Sequence, residues 1–337
     1  MRTIIVSFSI ASMVAYVLWK LHARRERNIS TAYSNQRLVR AFDIDNAFTS
    51  KSDEYRKLFT LEARVKLSAL EEADWKRIAS HANAILQYGL TEQQCCLDSL
   101  VRSMSLKITL HTLFKLDPMD MDDKFIGDIT SSINDLWVES KTSVEPSATT
   151  TKKLRQALAR FFPNAESSGK GNTLNFILPA YEALWRVVLS ASSRSAAPLP
   201  LHKERLSRVP DGGKTATDIV IADIEKCHRI HSLWGINADK FDPSRWKNLK
   251  AEAEGAFMPF GNAKFICPAK RVYGPMLIAV LVAALAKQIT AEKWTLELYP
   301  AGSETGHELR GNEALIADRK TYEKMMIRKK KTLLIKS

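Results

Sequence analysis

The sequence has few of the residues that mark disulfide scaffolds, zinc sites and disordered chains. Among 337 residues there are four cysteines, Cys95, Cys96, Cys227 and Cys267, which form no CxxC pair and no zinc-ligand spacing. The counts of 13 glycines and 12 prolines are low for a disordered chain. No solenoid repeat and no nucleic-acid-binding motif is present. These absences argue against a disulfide framework, a repeat protein and a nucleic-acid partner, and they favour a reducing, cytosol-facing compartment.

The residues that are abundant are apolar and basic. Hydrophobic residues make up 45% of the chain, which is enough to bury a sizeable core, and the formal net charge is +13. Much of the positive charge lies in residues 20–27 and 319–336. Basic regions bind anionic partners. Because no nucleic-acid motif is present, we expect the partner to be an acidic membrane surface or an acidic protein.

Residues 4–19 form an almost uninterrupted apolar segment, preceded by Arg2 and followed by the basic cluster. The segment is slightly shorter than the roughly 20 residues that span a bilayer, and Lys20 can extend it by placing its amine among the headgroups. The stronger positive charge on the C-terminal side favours a signal anchor over a cleaved signal peptide. We therefore predict a membrane anchor with a basic flank over residues 1–27, at the endoplasmic reticulum, and a cytosol-facing body over residues 28–337.

Hydrophobic periodicity predicts that this body is mainly helical with a small β component. Apolar positions recur at helical spacing over residues 55–86, 97–116, 125–137 and 154–162. Because proline suits the first turn of a helix, one helix is predicted to begin at Pro179 and a long apolar helix at Pro268. Residues 294–299 alternate like a short strand.

One cysteine stands where a helix would stabilise a thiolate. Cys267 ends a glycine-containing loop and directly precedes Pro268, the predicted start of a helix. Unpaired N–H groups and the positive end of the helix dipole favour an anion there, so we predict a lowered pKa for Cys267. A thiolate is a ligand of haem iron. The alternative, a structural cysteine at a helix start, stays open on the loop alone.

The loop resembles the haem-binding loop of the cytochrome P-450 family, which reads Phe, two residues, Gly, one residue, Arg or His, one residue, Cys, one residue, and Gly or Ala. The matching positions are Phe260, Cys267 and Ala269. Ala263 stands at the glycine position, and Phe265 replaces the basic residue that pairs with a haem propionate in the family. The resemblance implies haem b with Cys267 as the axial ligand of the iron and Phe260 beside it, with Lys264 as a substitute partner for the propionate.

Two more segments resemble the family and follow the family's order. Residues 179–186 resemble its Glu-x-x-Arg helix, although Glu182 and Arg186 are one residue further apart, a spacing that still places them on one helical face. Residues 241–246 resemble its Phe-x-Pro-x-Arg-Trp segment, with Arg245 at the arginine position. The resemblance implies that these three charged side chains form a buried ionic triad that supports the haem loop. Such a network fixes geometry at a cost in desolvation.

The resemblance covers residues 179–299, about a third of the chain. It implies a cytochrome P-450-like fold, shortened in its N-terminal half, that forms a single haem-binding domain over residues 28–337. It also implies a haem-thiolate monooxygenase that oxidises a small lipophilic substrate with O₂. An NADPH-dependent reductase would supply the electrons and dock on the basic surface. A likeness to fungal members of the family suggests a role in secondary metabolism.

The distal helix motif of the family has only an imperfect counterpart. Gly127 lies three residues before Thr130, as in the family, but Asp128 comes one position early and Ile126 replaces the usual small residue. An ordinary amphipathic helix is the alternative interpretation. Two further functions therefore stay open: a haem-thiolate isomerase or dehydratase, which needs no oxygen activation, and a haem-free, membrane-anchored protein without catalysis. The pattern assigns no catalytic residue and no substrate contact.

Overall fold

The computed structural model describes residues 35–142, 145–192, 229–238, 243–248, 250–257, 259–261, 266–290, 292–299, 306–308 and 325–330. Over this part of the chain the protein is mainly helical and has one small sheet, as predicted. The α-helices are α1 Gln36–Phe42, α2 Asp53–Ser68, α3 Glu72–Gly89, α4 Leu97–Phe114, α5 Asp123–Glu139, α6 Ala148–Phe161, α7 Leu174–Ser192, α8 His231–Trp234, α9 Ala251–Ala256 and α10 Tyr273–Gln288. Two 3₁₀ helices span Pro243–Asn248 and Pro268–Lys270.

Helix α4 forms the centre of the helical body. Its side chains are buried around its whole circumference, including Leu100, Met104 and Ile108. A helix that is buried on every side needs neighbours on every side. Helix α4 contacts the four helices α2, α3, α5 and α7 and two strands of the sheet. Helix α10 packs against α3 and α7. These contacts bring the first turn of α10, which follows Cys267 in the chain, against the central helices.

Three charged side chains of α4 are buried together with this apolar surface. Arg102 forms an ion pair with Asp98 at 2.9 Å, and its guanidinium carbon lies 4.5 Å from the ring centroid of Trp185 in α7. Lys107 binds the Asp123 carboxylate at 2.8 Å and so ties α4 to the start of α5. Charges away from water require such partners. Buried charge therefore fixes the position of α4 against two of its neighbours.

The predicted start of α7 at Pro179 was wrong, because the helix begins at Leu174 and Pro179 lies inside it. The Asn172 side chain accepts a hydrogen bond from the Leu174 N–H at 2.9 Å and so satisfies a donor of the first turn. Proline has no N–H and leaves the carbonyl four residues earlier without its helical donor. That carbonyl belongs to Asn175, and Asn46 Nδ2 donates to it at 3.3 Å. A contact from a distant segment therefore accommodates the proline.

The same asparagines connect the start of α7 to the segment after α1. Asn172 Nδ2 donates to the carbonyls of Phe42 at 3.0 Å and Asp43 at 3.1 Å. Asn175 Oδ1 accepts from the Asp45 N–H at 2.9 Å. Both asparagines are almost fully buried. Because buried backbone groups need hydrogen-bond partners, these side chains hold α7, the helix that carries Glu182 and Arg186, in place at its N-terminus.

Other helix boundaries also differ from the hydrophobic pattern. Residues 55–86 form two helices, because Glu71 and Asp74 make a capping box that begins α3. Helix α6 begins at Ala148, before its predicted start at residue 154, because the Ser147 side chain accepts from the Thr150 N–H at 3.2 Å. Capping side chains rather than apolar spacing therefore determine where these helices begin.

The sheet joins distant parts of the chain. Its strands are β1 Gln94–Cys96, β2 Trp294–Leu298, β3 His307–Glu308 and β4 Met325–Lys329, in the antiparallel order β1-β4-β2-β3. The predicted strand at residues 294–299 is confirmed as β2. Cys95 pairs with Ile327, so the strand before α4 is held by the last described strand. Packing of β4 on α4 covers one side of the central helix.

The predicted membrane anchor, residues 1–27, lies outside the described residues. Within the described part of the chain, no helix combines the length and the apolar character that a membrane-crossing helix needs. The anchor therefore stays a prediction from the sequence.

Candidate functional site

Cys267 lies in a turn between the segment that contains Phe260 and helix α10. The prediction that a long helix begins at Pro268 was wrong, because a 3₁₀ helix over Pro268–Lys270 comes first and α10 begins at Tyr273. Pro275 then falls in the first turn of α10, where a missing N–H removes no helical hydrogen bond. Pro275, and not Pro268, therefore lies at the start of the long helix.

Backbone geometry holds the two ends of the loop together. The Cys267 N–H donates to the Phe260 carbonyl at 2.8 Å, and the Lys270 N–H donates to the Cys267 carbonyl at 3.1 Å. Gly261 has a φ of 70°, in the left-handed region that side chains with a Cβ rarely adopt. Glycine at this position therefore allows the chain to turn directly after Phe260.

The Cys267 thiol is half-buried and forms no disulfide. Burial raises the pKa of Cys267, and a hydrogen bond from the backbone N–H of Ala269 opposes that increase. The predicted lowering of the pKa was therefore wrong. Only a single 3₁₀ turn follows the thiol, so the dipole of a long helix does not act directly on it, and desolvation of the thiolate outweighs one N–H donor.

The Phe260 ring packs against the backbone of α10 at Gly274. A Cβ atom added to Gly274 would lie 2.6 Å from Cε1 and 2.9 Å from Cζ of that ring, and 3.1 Å from the Ala269 carbonyl oxygen. These separations are shorter than van der Waals contact, so any side chain at this position would displace the Phe260 ring. The Phe260 side chain thus contacts the first turn of α10 while its carbonyl holds Cys267.

The three residues of the predicted ionic triad lie on two elements. Glu182 and Arg186 lie on α7, which packs against both α4 and α10, and Glu182 is only 7% exposed. Arg245 lies in the 3₁₀ helix after α8, where its Nη2 donates to the Asn237 carbonyl at 2.6 Å. The burial of Glu182 agrees with a role inside the fold. The joining of all three side chains stays a prediction.

The predicted distal motif lies in α5. Thr130 Oγ1 donates to the Gly127 carbonyl of its own helix at 3.2 Å, and Asp128 binds Lys153 of α6 at 2.9 Å. Both side chains thus serve contacts within and between packed helices, which favours the interpretation as an ordinary amphipathic helix. Lys264, the predicted propionate partner, and Phe265 lie outside the described residues.

Sequence reasoning missed three residues that the structure places around the Cys267 turn: Thr112, Tyr273 and Gly274. Thr112 is a buried polar residue in an apolar helix, and a Tyr-Gly pair before Pro275 offers no recognisable motif. A glycine in the first turn of a predicted helix is, however, a signal of close backbone approach. Only the tertiary contacts identify what approaches it.

Comparison with solved structures identifies the architecture. A single-residue variant of cytochrome P-450 OleT in complex with arachidonic acid has a TM-score of 0.52 and 10% sequence identity, with 88% of this chain and 84% of that chain covered. Cytochrome P-450EX alpha with myristic acid has a TM-score of 0.51 and 15% identity, with coverages of 87% and 82%. The fold is that of the cytochromes P-450. The expectation of a cytochrome P-450-like fold is therefore confirmed.

Sequence comparison finds relatives of the same kind over part of the chain. Cytochrome P-450 monooxygenase apdE of Emericella nidulans is 40% identical over 53 residues, which are 16% of this chain and 10% of that protein. Cytochrome P-450 52-M1 of Starmerella bombicola is 30% identical over 127 residues, 34% of this chain and 23% of that protein. No family model matches the chain. The chain is similar to cytochromes P-450 in part of its sequence and in its fold, and the sequence matches span less than a quarter of these two relatives.

In the cytochromes P-450 a cysteine thiolate holds the haem iron, and the residues at this turn fit such a group. Cys267 occupies the cysteine position of the haem loop, its half-buried thiol forms no disulfide, and the Ala269 N–H donates to its sulfur. A backbone donor to a thiolate stabilises the negative charge that an iron ligand carries. The hydrogen bond between the Cys267 N–H and the Phe260 carbonyl fixes the backbone on the other side.

Proposed function

We propose that this chain is a haem-thiolate monooxygenase in which Cys267 is the axial ligand of the iron. The observation that carries the proposal is a half-buried cysteine outside any disulfide, with a backbone N–H at its sulfur, at the haem-loop position of a cytochrome P-450 fold. When bound, haem supplies an iron centre that activates O₂. An NADPH-dependent reductase would supply two electrons, so that one oxygen atom of O₂ would enter a small lipophilic substrate and the other would leave, with two protons, as water.

The protein residues in this proposal hold the ligand and shape its surroundings. Cys267 Sγ would hold the iron as a thiolate, and the Ala269 N–H would stabilise its charge. The Phe260 ring, which packs against Gly274 at the start of α10, would lie at the loop that carries this ligand. Lys264 takes the propionate-binding role, since Phe265 stands where the family has a basic residue. Since an iron ligand must be the thiolate, binding of iron would release the Cys267 proton, and burial, which raises the pKa of this thiol, opposes that release.

The substrate class within this proposal is a lipophilic molecule, and long-chain fatty acids are the first candidates. The support is the fold, since two structural neighbours hold arachidonic acid and myristic acid. A role in secondary metabolism is supported by the likeness to fungal members of the family. Residues 1–27 anchor the protein at the endoplasmic reticulum, and the apolar segment at residues 4–19 supports this role. The basic residues in segments 20–27 and 319–336 bind the reductase.

A haem-thiolate isomerase or dehydratase is the second candidate, and a specific observation favours it. Asp128 is engaged by Lys153, and Thr130 is bound within its own helix. The acid and threonine that deliver protons to bound oxygen in the family therefore have no clear counterpart in α5. An isomerase or dehydratase requires neither.

The experiment is turnover of the haem-loaded protein with an NADPH-dependent reductase, ¹⁸O₂ and either myristic or arachidonic acid. One ¹⁸O atom in the product, dependent on NADPH, supports a monooxygenase. Conversion of either acid without NADPH and without ¹⁸O supports the second candidate. A haem-loaded protein that converts neither acid contradicts the fatty-acid assignment, and failure of the purified chain to take up haem at all contradicts both functions.

A further inference from the structure

The first turn of α10 is anchored to the central helix by a buried hydrogen bond. The Tyr273 hydroxyl and Thr112 Oγ1 lie 2.8 Å apart, and both residues are buried. Burial raises the pKa of Tyr273 to about 12, so its hydroxyl stays protonated at neutral pH and the bond joins two neutral groups. The Trp75 ring of α3 lies 6.2 Å from the Tyr273 ring, centroid to centroid. Tyr273 is thereby fixed by two helices that precede it in the chain.

A second contact continues from this anchor toward the thiol. The Phe260 ring packs so closely on Gly274, the next residue, that a Cβ atom there would displace the ring. The Phe260 carbonyl in turn accepts the Cys267 N–H at 2.8 Å. An unbroken series of contacts therefore runs from Thr112 in the core, through Tyr273 and Gly274, to the backbone of Cys267.

We infer that Thr112, Tyr273 and Gly274 are positioning residues for the Cys267 thiolate. The inference rests on the proposed function, since it concerns the geometry of the residue that would bind iron. None of the three residues needs to contact the cofactor. They hold the start of α10, and through Phe260 they hold the Cys267 turn in one arrangement, because ligand atoms must be held closely in place by the packing around them.

The test compares two threonine variants on the same buried face of α4. Thr112→Val removes the hydroxyl that lies 2.8 Å from the Tyr273 hydroxyl. Thr109→Val removes a buried hydroxyl that, among the described residues, donates to the Ser105 carbonyl alone, at 2.7 Å. Both variants lose a hydrogen bond within the helix, so Thr109→Val reports the general effect of that loss. Thr112→Ser keeps the hydroxyl, and Tyr273→Phe removes the same bond from the other side.

The first readout uses the protein without haem. Iodoacetamide alkylation of Cys267 is followed by peptide mass spectrometry at one pH, with Cys95 in β1 as the internal reference. We expect Thr112→Val and Tyr273→Phe to raise the alkylation rate of Cys267 about fivefold. Loss of one ordinary hydrogen bond can increase the population of the displaced turn, in which the thiol is more accessible, by about this factor. Thr109→Val and Thr112→Ser are expected to match the wild-type rate.

The second readout is the fraction of haem-loaded protein that shows a thiolate-type band in the reduced, carbon monoxide-bound state. It should fall in the same two variants and stay unchanged in the two controls. Equal Cys267 rates in Thr112→Val and Thr109→Val overturn the inference, and so does a Thr112→Ser variant that behaves like Thr112→Val. A changed alkylation rate in a protein that takes up no haem supports the positioning network and refutes the proposed function.

Discussion

Replacing Gly274 by alanine adds one methyl group where the structure leaves no space for it. The new Cβ would lie 2.6 Å and 2.9 Å from two Phe260 ring carbons, and the Ala269 carbonyl oxygen at 3.1 Å limits movement away from the ring. Forcing extra volume into a packed site costs about 1–3 kcal/mol. The higher helix propensity of alanine returns up to about 1 kcal/mol. We therefore expect a net loss of about 1–2 kcal/mol in the free energy of unfolding.

Gly127→Ala in α5 is a matched control for Gly274→Ala. A Cβ atom on Gly127 in α5 would meet nothing within 4 Å, so Gly127→Ala should stabilise the protein by about 0.5–1 kcal/mol. Urea unfolding followed by circular dichroism measures both variants, and the slope must stay the same for the midpoints to be compared. A smaller side chain in Phe260→Leu should reduce the penalty of Gly274→Ala in the double variant. Equal stabilisation by both alanines would refute the close contact.

Three further predictions concern buried polar groups. Asn172→Ala should lower the free energy of unfolding in urea by about 2–3 kcal/mol, because it removes a helix cap and the donor to the Phe42 and Asp43 carbonyls. A decrease below about 0.5 kcal/mol would contradict the role of this side chain. Arg102→Leu should lower the free energy of unfolding by about 3–5 kcal/mol, because the Asp98 carboxylate stays buried without this ion pair. A melting temperature equal to that of the wild type would contradict this stabilising role. Burial raises the pKa of Tyr273 from 10.0 to about 12, so the unfolded chain loses its proton first and stability falls as the pH rises between these values. That fall should be smaller in Tyr273→Phe by about 3 kcal/mol, and parallel pH profiles of the two proteins would refute it.

The elements that could be predicted are those whose pattern is local. Leu97–Phe114 shows unbroken helical periodicity, and Trp294–Leu298 alternates as a strand does, so both were predicted nearly in full. The identity of the cysteine loop could be predicted because its residues stand close together in sequence. The spacing around Cys267 needs no tertiary information to be recognised.

The features that were missed depend on contacts between distant segments. Pro179 lies inside a helix because Asn46 satisfies the carbonyl that the proline leaves free. The pKa of Cys267 is raised because the fold buries the thiol, whereas the pattern showed only a nearby helix. The Thr112–Tyr273 hydrogen bond joins residues 161 positions apart. The local pattern of apolar and polar residues carries no information on any of these three features, because each depends on how distant segments pack.

The central claim is that the Cys267 thiolate binds haem iron, and the carbon monoxide difference spectrum of the reduced protein tests it most directly. We predict a thiolate-type band in the wild type, its loss in Cys267→Ala with the helical circular dichroism retained, and an unchanged band in Cys95→Ala. Cys95 is a suitable control because it is also a free, partly buried cysteine. A thiolate-type band that persists in folded Cys267→Ala, or a haem-loaded wild type without one, would contradict the account.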